Sequence, residues 1–405
     1  MRQLRFKADD GSKFSDWKEK KFDALYYKNN EKNVNLEFDS SKTISIASMQ
    51  FNEKGNGASE DSISSYKVLR VGDIAFEGHE NKEFSHGRFV LNDIGDGIMS
   101  PRFSCMRPVC KQVYGFWKYY IHSEKVMRNI LVRSTKKGTM MHELVVSDFL
   151  KQTIDVPSLP EQQKIADFLS TIDTVIEKQK ATVEVWEERK KGVMQKLFSQ
   201  NVRFKADDGS EFPDWEEKKV ANLFSKIKEK NKDGKIQNVI TNSAEFGLIN
   251  QRDFFDKDIA VEGKKENYTI IKTGDFVYNP RKSKQAPYGP FNCYQLEEDG
   301  IVSPLYTCLR PKGIVNAYYL FWYFQSGAWY RFIYENGAQN GARHDRVGMT
   351  DSLMQDIPVY VPRSLEEQQK IADCLSSLDD VIKMQKATLT AWKEMKKGLL
   401  QQMFV

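Results

Sequence analysis

The sequence predicts an α+β chain with a pseudo-two-fold internal repeat: two mixed globular domains, each followed by a long amphipathic helix, the two helices pairing as an antiparallel coiled coil. Two observations carry this. The 405 residues are written twice with a period of roughly 200, too long for a solenoid repeat and therefore a domain duplication. Each copy also passes from short β-like runs into about 40 residues of helical periodicity. A chain of this length exceeds one ordinary core and favours two to three domains.

The repeat is legible residue by residue. RFKADDGSKFSDWKEKK at 5–21 returns as RFKADDGSEFPDWEEKK at 203–219. GDGIMSPRFSCMRP, ending at Pro108, returns as EDGIVSPLYTCLRP, ending at Pro311, and GDI at Gly72 returns as GDF at Gly274. EQQKIADFLSTIDTVIEKQKAT at 161–182 returns as EQQKIADCLSSLDDVIKMQKAT at 367–388. The interiors, 29–69 against 226–271, match poorly. The expected division is a first domain at 1–157, spacer helix 1 at 158–200, a second domain at 201–361 and spacer helix 2 at 362–405.

In each domain, short β runs are punctuated by turn residues: 43–48, 74–76, 88–92 and 104–107, then 238–241, 275–278 and 306–310. One aromatic-rich helix follows in each, at 114–128 and 316–334. The clusters FWKYY and YYLFWYF could stack nucleobases, but a run this dense on a helix must bury one face, so core packing is the expectation.

Both spacer helices open on a capping box, Ser158 with Glu161 and Ser364 with Glu367, in which the serine takes a backbone N–H and the glutamate reaches back. Apolar residues then recur at spacings of three and four. Ile165, Leu169, Ile172, Ile176 and Trp186 form one seam, and Ile371, Leu375, Leu378, Ile382 and Trp392 the other; these are the candidate helix–helix and partner contacts. Gly192 and Gly398 sit at equivalent places near the helix ends, where glycine costs about 1 kcal/mol relative to alanine. They either terminate the helix or admit a partner helix.

Composition excludes several classes. Hydrophobic residues at 40% and charged residues at 29% describe an ordinary globular protein. No run approaches the roughly 20 apolar residues of a membrane span, and MRQLRFKADDG has no apolar stretch after its basic residues, so cytoplasmic residence is expected. The five cysteines have no CxxC pairing and indicate neither a disulfide framework nor a zinc site. A net charge of +5 permits nucleic-acid binding without demonstrating it.

No catalytic motif is found: no GxxxxGK[ST] loop, no HExxH helix, no GxSxG elbow. Asn279-Pro280-Arg281-Lys282 does not fit the Pro-Pro-aromatic motif of adenine methyltransferases. The acids of Pro213-Asp214…Glu216-Glu217-Lys218 are too crowded to converge on one metal. No metal site and no bound cofactor are expected in this chain.

The polar and basic loops where the copies differ are candidates for groove and phosphate contacts, since Arg and Lys suit guanine and phosphate, Asn and Gln adenine. In the first domain they offer Lys54, Asn56, His79, Asn81, Lys82, Arg88, Arg133, Lys136 and Lys137. In the second they offer Asn242, Arg252, Asn279, Arg281, Lys282, Lys284, Gln285, Arg343 and Arg346.

The paired Leu-x-Glu-Gln-Gln-Lys-Ile-Ala-Asp helices, each after a domain beginning Arg-Phe-Lys and Asp-Trp, resemble the specificity subunit of type I restriction-modification systems over nearly the whole chain. VITNSAEFGLINQRDFF at 239–255 resembles the second target-recognition domain of that family. The resemblance implies a non-catalytic DNA-binding subunit in which each domain reads half of a bipartite, asymmetric duplex target and the helices set the spacing. It implies two methyltransferase subunits and restriction/translocase subunits as partners, with S-adenosylmethionine, ATP and Mg2+ held by them. The residues alone leave two other readings open: a coiled-coil scaffold with two ligand-binding domains, or a self-sufficient DNA nuclease or methyltransferase.

Overall fold

The computed structural model describes residues 4–52, 60–139, 141–254, 265–337 and 345–404. Its contacts divide the chain into two units: residues 1–181 with 387–405, and residues 182–386. Each unit therefore takes one globular domain plus one part of each long helix.

In the first unit a four-stranded antiparallel sheet runs in the order Tyr26–Asn29, Ser104–Pro108, Ile74–Glu77, Arg88–Leu91. The central strand Ile74–Glu77 is buried throughout, so it lacks the alternation of a half-solvated strand. Its two faces serve different cores. Ile74 and Phe76 join the aromatic core of Phe22, Phe89, Phe116 and Trp117, while Ala75 joins Ile44, Leu69 and Met99. Strand Lys18–Lys21 pairs with Thr153–Val156 and ties the domain's entry to its exit.

The second unit repeats the scheme: Phe224–Lys226, Thr307–Pro311, Phe276–Tyr278, Phe291–Cys293. Again the central strand alternates between cores, Phe276 and Tyr278 in one and Val277 in the other. Glu216–Lys219 pairs with Pro358–Val361 as the equivalent entry-exit clasp. Two of the crowded acids, Glu216 and Glu217, lie on this strand, and Glu216 is ion-paired with Lys218 at 2.8 Å.

The expected aromatic helices are each broken in two: Tyr114–Tyr120 with Glu124–Ser134, and Ala317–Ser326 with Tyr330–Asn336. In the second, Gly327 at φ 71° provides the left-handed stop. The core reading of the aromatics holds: Phe116, Trp117 and Tyr120, like Tyr319, Trp322, Tyr323 and Phe324, are buried. The expected strand at 43–48 shrinks to Ile44–Ser45, paired with Gln50–Phe51.

The long helices span Leu159–Phe198 and Leu365–Phe404. Inside the first unit, Ala166 and Leu169 share a core with Met403 and Phe404, while Asp173 pairs with Lys396, so the two segments run antiparallel. In the second unit Glu187 pairs with Lys386 and Lys190 with Asp379, while Met194 and Leu197 share a core with Ile371 and Leu375. The direction is again antiparallel. Of the seam residues, Ile165, Leu169, Ile172, Ile371, Leu375 and Ile382 are buried; Ile176, Trp186, Leu378 and Trp392 are half-buried. A Cβ at Gly192 or Gly398 would meet no atom within 4 Å among the described residues, so packing inside the chain does not require glycine at either position.

Candidate nucleic-acid interface and helix joints

The repeated motifs meet each other in space. Arg5 of the first RFK motif donates to both carboxylate oxygens of Glu161, at 3.1 and 3.0 Å, and to the carbonyl of Ser15. Arg203 does the same with Glu367, at 3.0 and 2.8 Å, and with the carbonyl of Pro213. This corrects the capping-box expectation. Ser364 does accept from the Glu367 N–H at 3.4 Å, but the glutamates face the arginines rather than their own helix ends. Both carboxylates are buried, and a bidentate guanidinium is the partner that geometry favours. The hydrogen bonds that Arg5 and Arg203 donate to these glutamates raise both above the ordinary guanidinium range. Lys164 to Asp9 and Lys370 to Asp207, each at 2.6 Å, complete the clamp.

A second repeated pair holds the sheet. Arg107 of the CMRP motif binds Asp73 of the GDI motif at 2.9 Å, and Arg310 binds Asp275 at 2.8 Å. Neither pair was singled out from the sequence. The available signal was their recurrence in both copies.

Where each domain meets the helix segments of its own unit, the arrangement is duplicated too. In the first unit the Tyr119 hydroxyl donates to Asp173 at 2.5 Å, and Lys396 pairs with Asp173 while lying 4.8 Å from the Tyr119 ring centroid. In the second, Trp322 Nε1 donates to Ser376 at 3.0 Å, and Lys190 pairs with Asp379 while lying 5.3 Å from the Trp322 ring. Beside each joint opens a groove. That of the first unit is about 560 Å³, lined by Met49, Leu91, Ile94, Tyr119, Asp173, Lys396 and Leu400. That of the second is about 700 Å³, lined at matching positions by Phe246, Cys293, Leu296, Trp322, Asp379, Lys190 and Met194.

Most of the described candidate DNA contacts lie on or beside the loop that follows the central strand of each domain. The central strand ends at Glu77 in one and runs out through Asn279 in the other, and an eight-residue loop follows, 79–86 or 281–288. Gly87 and Gly289 close these loops at φ 77° and 85°, and a Cβ there would stand 2.6 Å from the Glu77 carbonyl oxygen or 2.1 Å from that of Asn279. Only glycine allows the return strand so near. Against each loop lies the returning segment after the helices: the His142 N–H donates to the Gly78 carbonyl and the Val347 N–H to that of Pro280, each at 2.8 Å.

Not every candidate is presented. Asn242 is buried; its amide nitrogen bonds the Val277 carbonyl at 2.7 Å and its oxygen takes the Asn292 amide at 2.6 Å. It fastens the 240–250 hairpin to the sheet, and the expectation that it reaches DNA is withdrawn. Arg88 is mostly covered, held by Glu77 at 3.2 Å and the Ala47 carbonyl at 2.9 Å. Asn279 is half-buried and bonds the Asn242 carbonyl at 3.1 Å. His79 faces Glu77 at 2.5 Å, and Asn81 accepts from Glu83 and Phe84 within its turn. Exposed are Asn81, Lys82, Arg133, Lys136 and Lys137 in the first unit, and Arg252, Arg281, Lys282, Lys284 and Gln285 in the second, with Arg346 half-buried. Lys54, Asn56 and Arg343 lie outside the described residues. Among the described residues no group of three or more His, Cys, Asp or Glu could hold a metal ion, and no helix is long and apolar enough to cross a membrane.

Comparison with known proteins bears on this arrangement. A family model for the type I restriction modification DNA specificity domain matches residues 15–185 and again 213–391. The "Putative type I restriction enzyme MjaX specificity subunit" of Methanocaldococcus jannaschii is 23% identical over 403 residues, covering 93% of this chain and 88% of that protein. The type I restriction enzyme MjaVIII specificity subunit of the same organism is 36% identical over 103 residues, 24% of each chain. Among solved structures, the S subunit of a type I restriction-modification system from M. genitalium superimposes with a TM-score of 0.52 at 12% identity, covering 100% of this chain and 99% of that one. A chain from a structural study of the assembly and conformational transition of the type I R-M system gives 0.54 at 16% identity, with 97% and 98% coverage. At such identities the structural likeness speaks to the fold alone.

Proposed function

Because the chain belongs to the type I restriction-modification DNA specificity family, we propose that it reads an asymmetric bipartite duplex target, one half per domain, and supplies no chemistry itself. The observation that carries this is the pairing of a shared frame with unlike edges. Clamp, sheet order and helix joint recur in both units, while the loops at 79–86 and 281–288 occupy the same place with different side chains. A frame that repeats is suited to holding equivalent partners; edges that differ are suited to reading different bases.

Two copies of a methyltransferase subunit are the proposed equivalent partners, and the duplicated grooves beside Tyr119 and Trp322 support two like docking places. Restriction/translocase subunits would join the same assembly. S-adenosylmethionine, ATP and Mg2+ would then belong to those partners, and the assembly would work in the cytoplasm. The long helices would set the spacing between the half-sites.

The test is duplex binding by this chain in complex with its methyltransferase partner, read as affinity against salt and against sequence. Salt-dependent, sequence-selective binding is expected. Methylation or cleavage of DNA by the purified chain alone, with S-adenosylmethionine and Mg2+, would overturn the non-catalytic reading. Native mass spectrometry should find two methyltransferase subunits per chain; a single one would contradict the duplicated docking.

A further inference from the structure

The loops that follow the two central strands are built alike but charged differently. The first loop, 79–86, is HENKEFSH; the second, 281–288, is RKSKQAPY. Two glutamates against one lysine stand in the first, while an arginine, two lysines and no acid stand in the second. The first loop is also tied inward: His79 meets Glu77 at 2.5 Å, and Glu80 meets His142 at 2.6 Å. In the second, Lys282 and Lys284 are exposed, and the Arg281 side chain is 67% exposed, with Asp345 3.6 Å away. Backbone bonds from Lys282 to Asp345, at 2.9 Å, and from Val347 to Pro280 hold this basic tip in place.

We infer that the two equivalent loops divide the work unequally: the 281–284 tip grips phosphates, while the 79–86 loop contributes little charge and serves discrimination. The inference rests on the DNA-reading function proposed above. Its physical basis is that cations facing phosphates release counterions, whereas a carboxylate facing them repels the backbone and is tolerated only where it meets a base edge.

The experiment measures log Kd against log salt for a fluorescent 40-bp duplex of mixed sequence, using the chain assembled with its methyltransferase partner. The triple variant Arg281→Ala/Lys282→Ala/Lys284→Ala should flatten the slope by up to about 2.7, given roughly 0.9 per phosphate contact, and leave the methylated motif of the host unchanged. Lys82→Ala should change the slope by less than about one. Arg281→Lys, which keeps the charge, should hold the wild-type slope and so separate loss of charge from misfolding. An unchanged slope in the triple variant, or a motif relaxed in one half, overturns the assignment of the 281–284 tip to phosphates. A wild-type complex whose duplex binding ignores salt overturns the underlying DNA-reading function instead.

Discussion

Arg5 and Arg203 show what single residues contribute. Each neutralises a glutamate with almost no exposed side-chain surface, Glu161 at 1% and Glu367 at 0%. Removing the arginine strands a buried charge, at a cost of about 3 kcal/mol. Arg5→Ala should lower the stability of the first unit and Arg203→Ala that of the second, each measured by denaturant unfolding with hydrogen exchange assigning the unit. Leu36 is a different case. It sits at φ 52°, 62% exposed, in a turn where Asn33 brackets Phe38. The matching turn of the second copy, bracketed by Asn231 and Ile236, has Gly234 there at φ 65°. A bulky residue in that region is strained, so Leu36→Gly should stabilise by up to about 1 kcal/mol, read as a raised unfolding midpoint.

Asp379 gives a pH signature. Burial pushes its carboxyl up, but hydrogen bonds from Lys190 and Lys383 outweigh burial and hold it below the usual carboxylate range. A lowered folded value means the stabilisation is present above the unfolded carboxylate range and is lost as pH falls through the folded value. Asp379→Asn should therefore cost roughly 1 kcal/mol at pH 7, a cost that shrinks only as pH falls below the ordinary carboxylate range, read by unfolding across a pH series. These pairs were only half legible in the sequence. Recurrence marked Arg5, Glu161, Asp173 and Asp379 as a repeated set, yet spacing alone assigned the glutamates to helix caps. Their true partners lie more than 150 positions away in sequence, where local rules do not reach.

At the scale of elements, the two long helices were legible to within about three residues at their starts because the apolar period persists over 40 residues. The short strands were less so. Central strands such as Ile74–Glu77 have no alternation to read, and the clasp strand Lys18–Lys21 carries only charged residues. The break within the aromatic helices is a tertiary outcome. The helix ends carry a consequence: Phe404 inserts beside Phe116 and Tyr120, at 5.9 and 5.1 Å between ring centroids, so the last turn of the chain belongs to the first unit's core. Phe404→Ala should cost about 3–5 kcal/mol, and hydrogen exchange should quicken in Tyr114–Tyr120 while Ala317–Ser326 keeps its protection.

For the whole molecule, function was legible in outline because duplication, long helices and missing catalytic motifs all survive in one dimension. The reading residues were not. Asn242 has the right chemistry in a polar stretch, and it is buried all the same. Inserting a heptad, about 10 Å of helix, into one long helix should alter the tolerated gap between half-sites by up to about three base pairs, seen as a changed spacer in the methylated motif. The central claim, that this chain supplies the address for partners that do the chemistry, is tested most directly by methylome sequencing of a host carrying the partner genes with and without this gene. Adenine methylation at an asymmetric bipartite motif should be present with the chain and absent without it. The same methylated motif in both hosts, or a motif with two identical halves, would contradict the account.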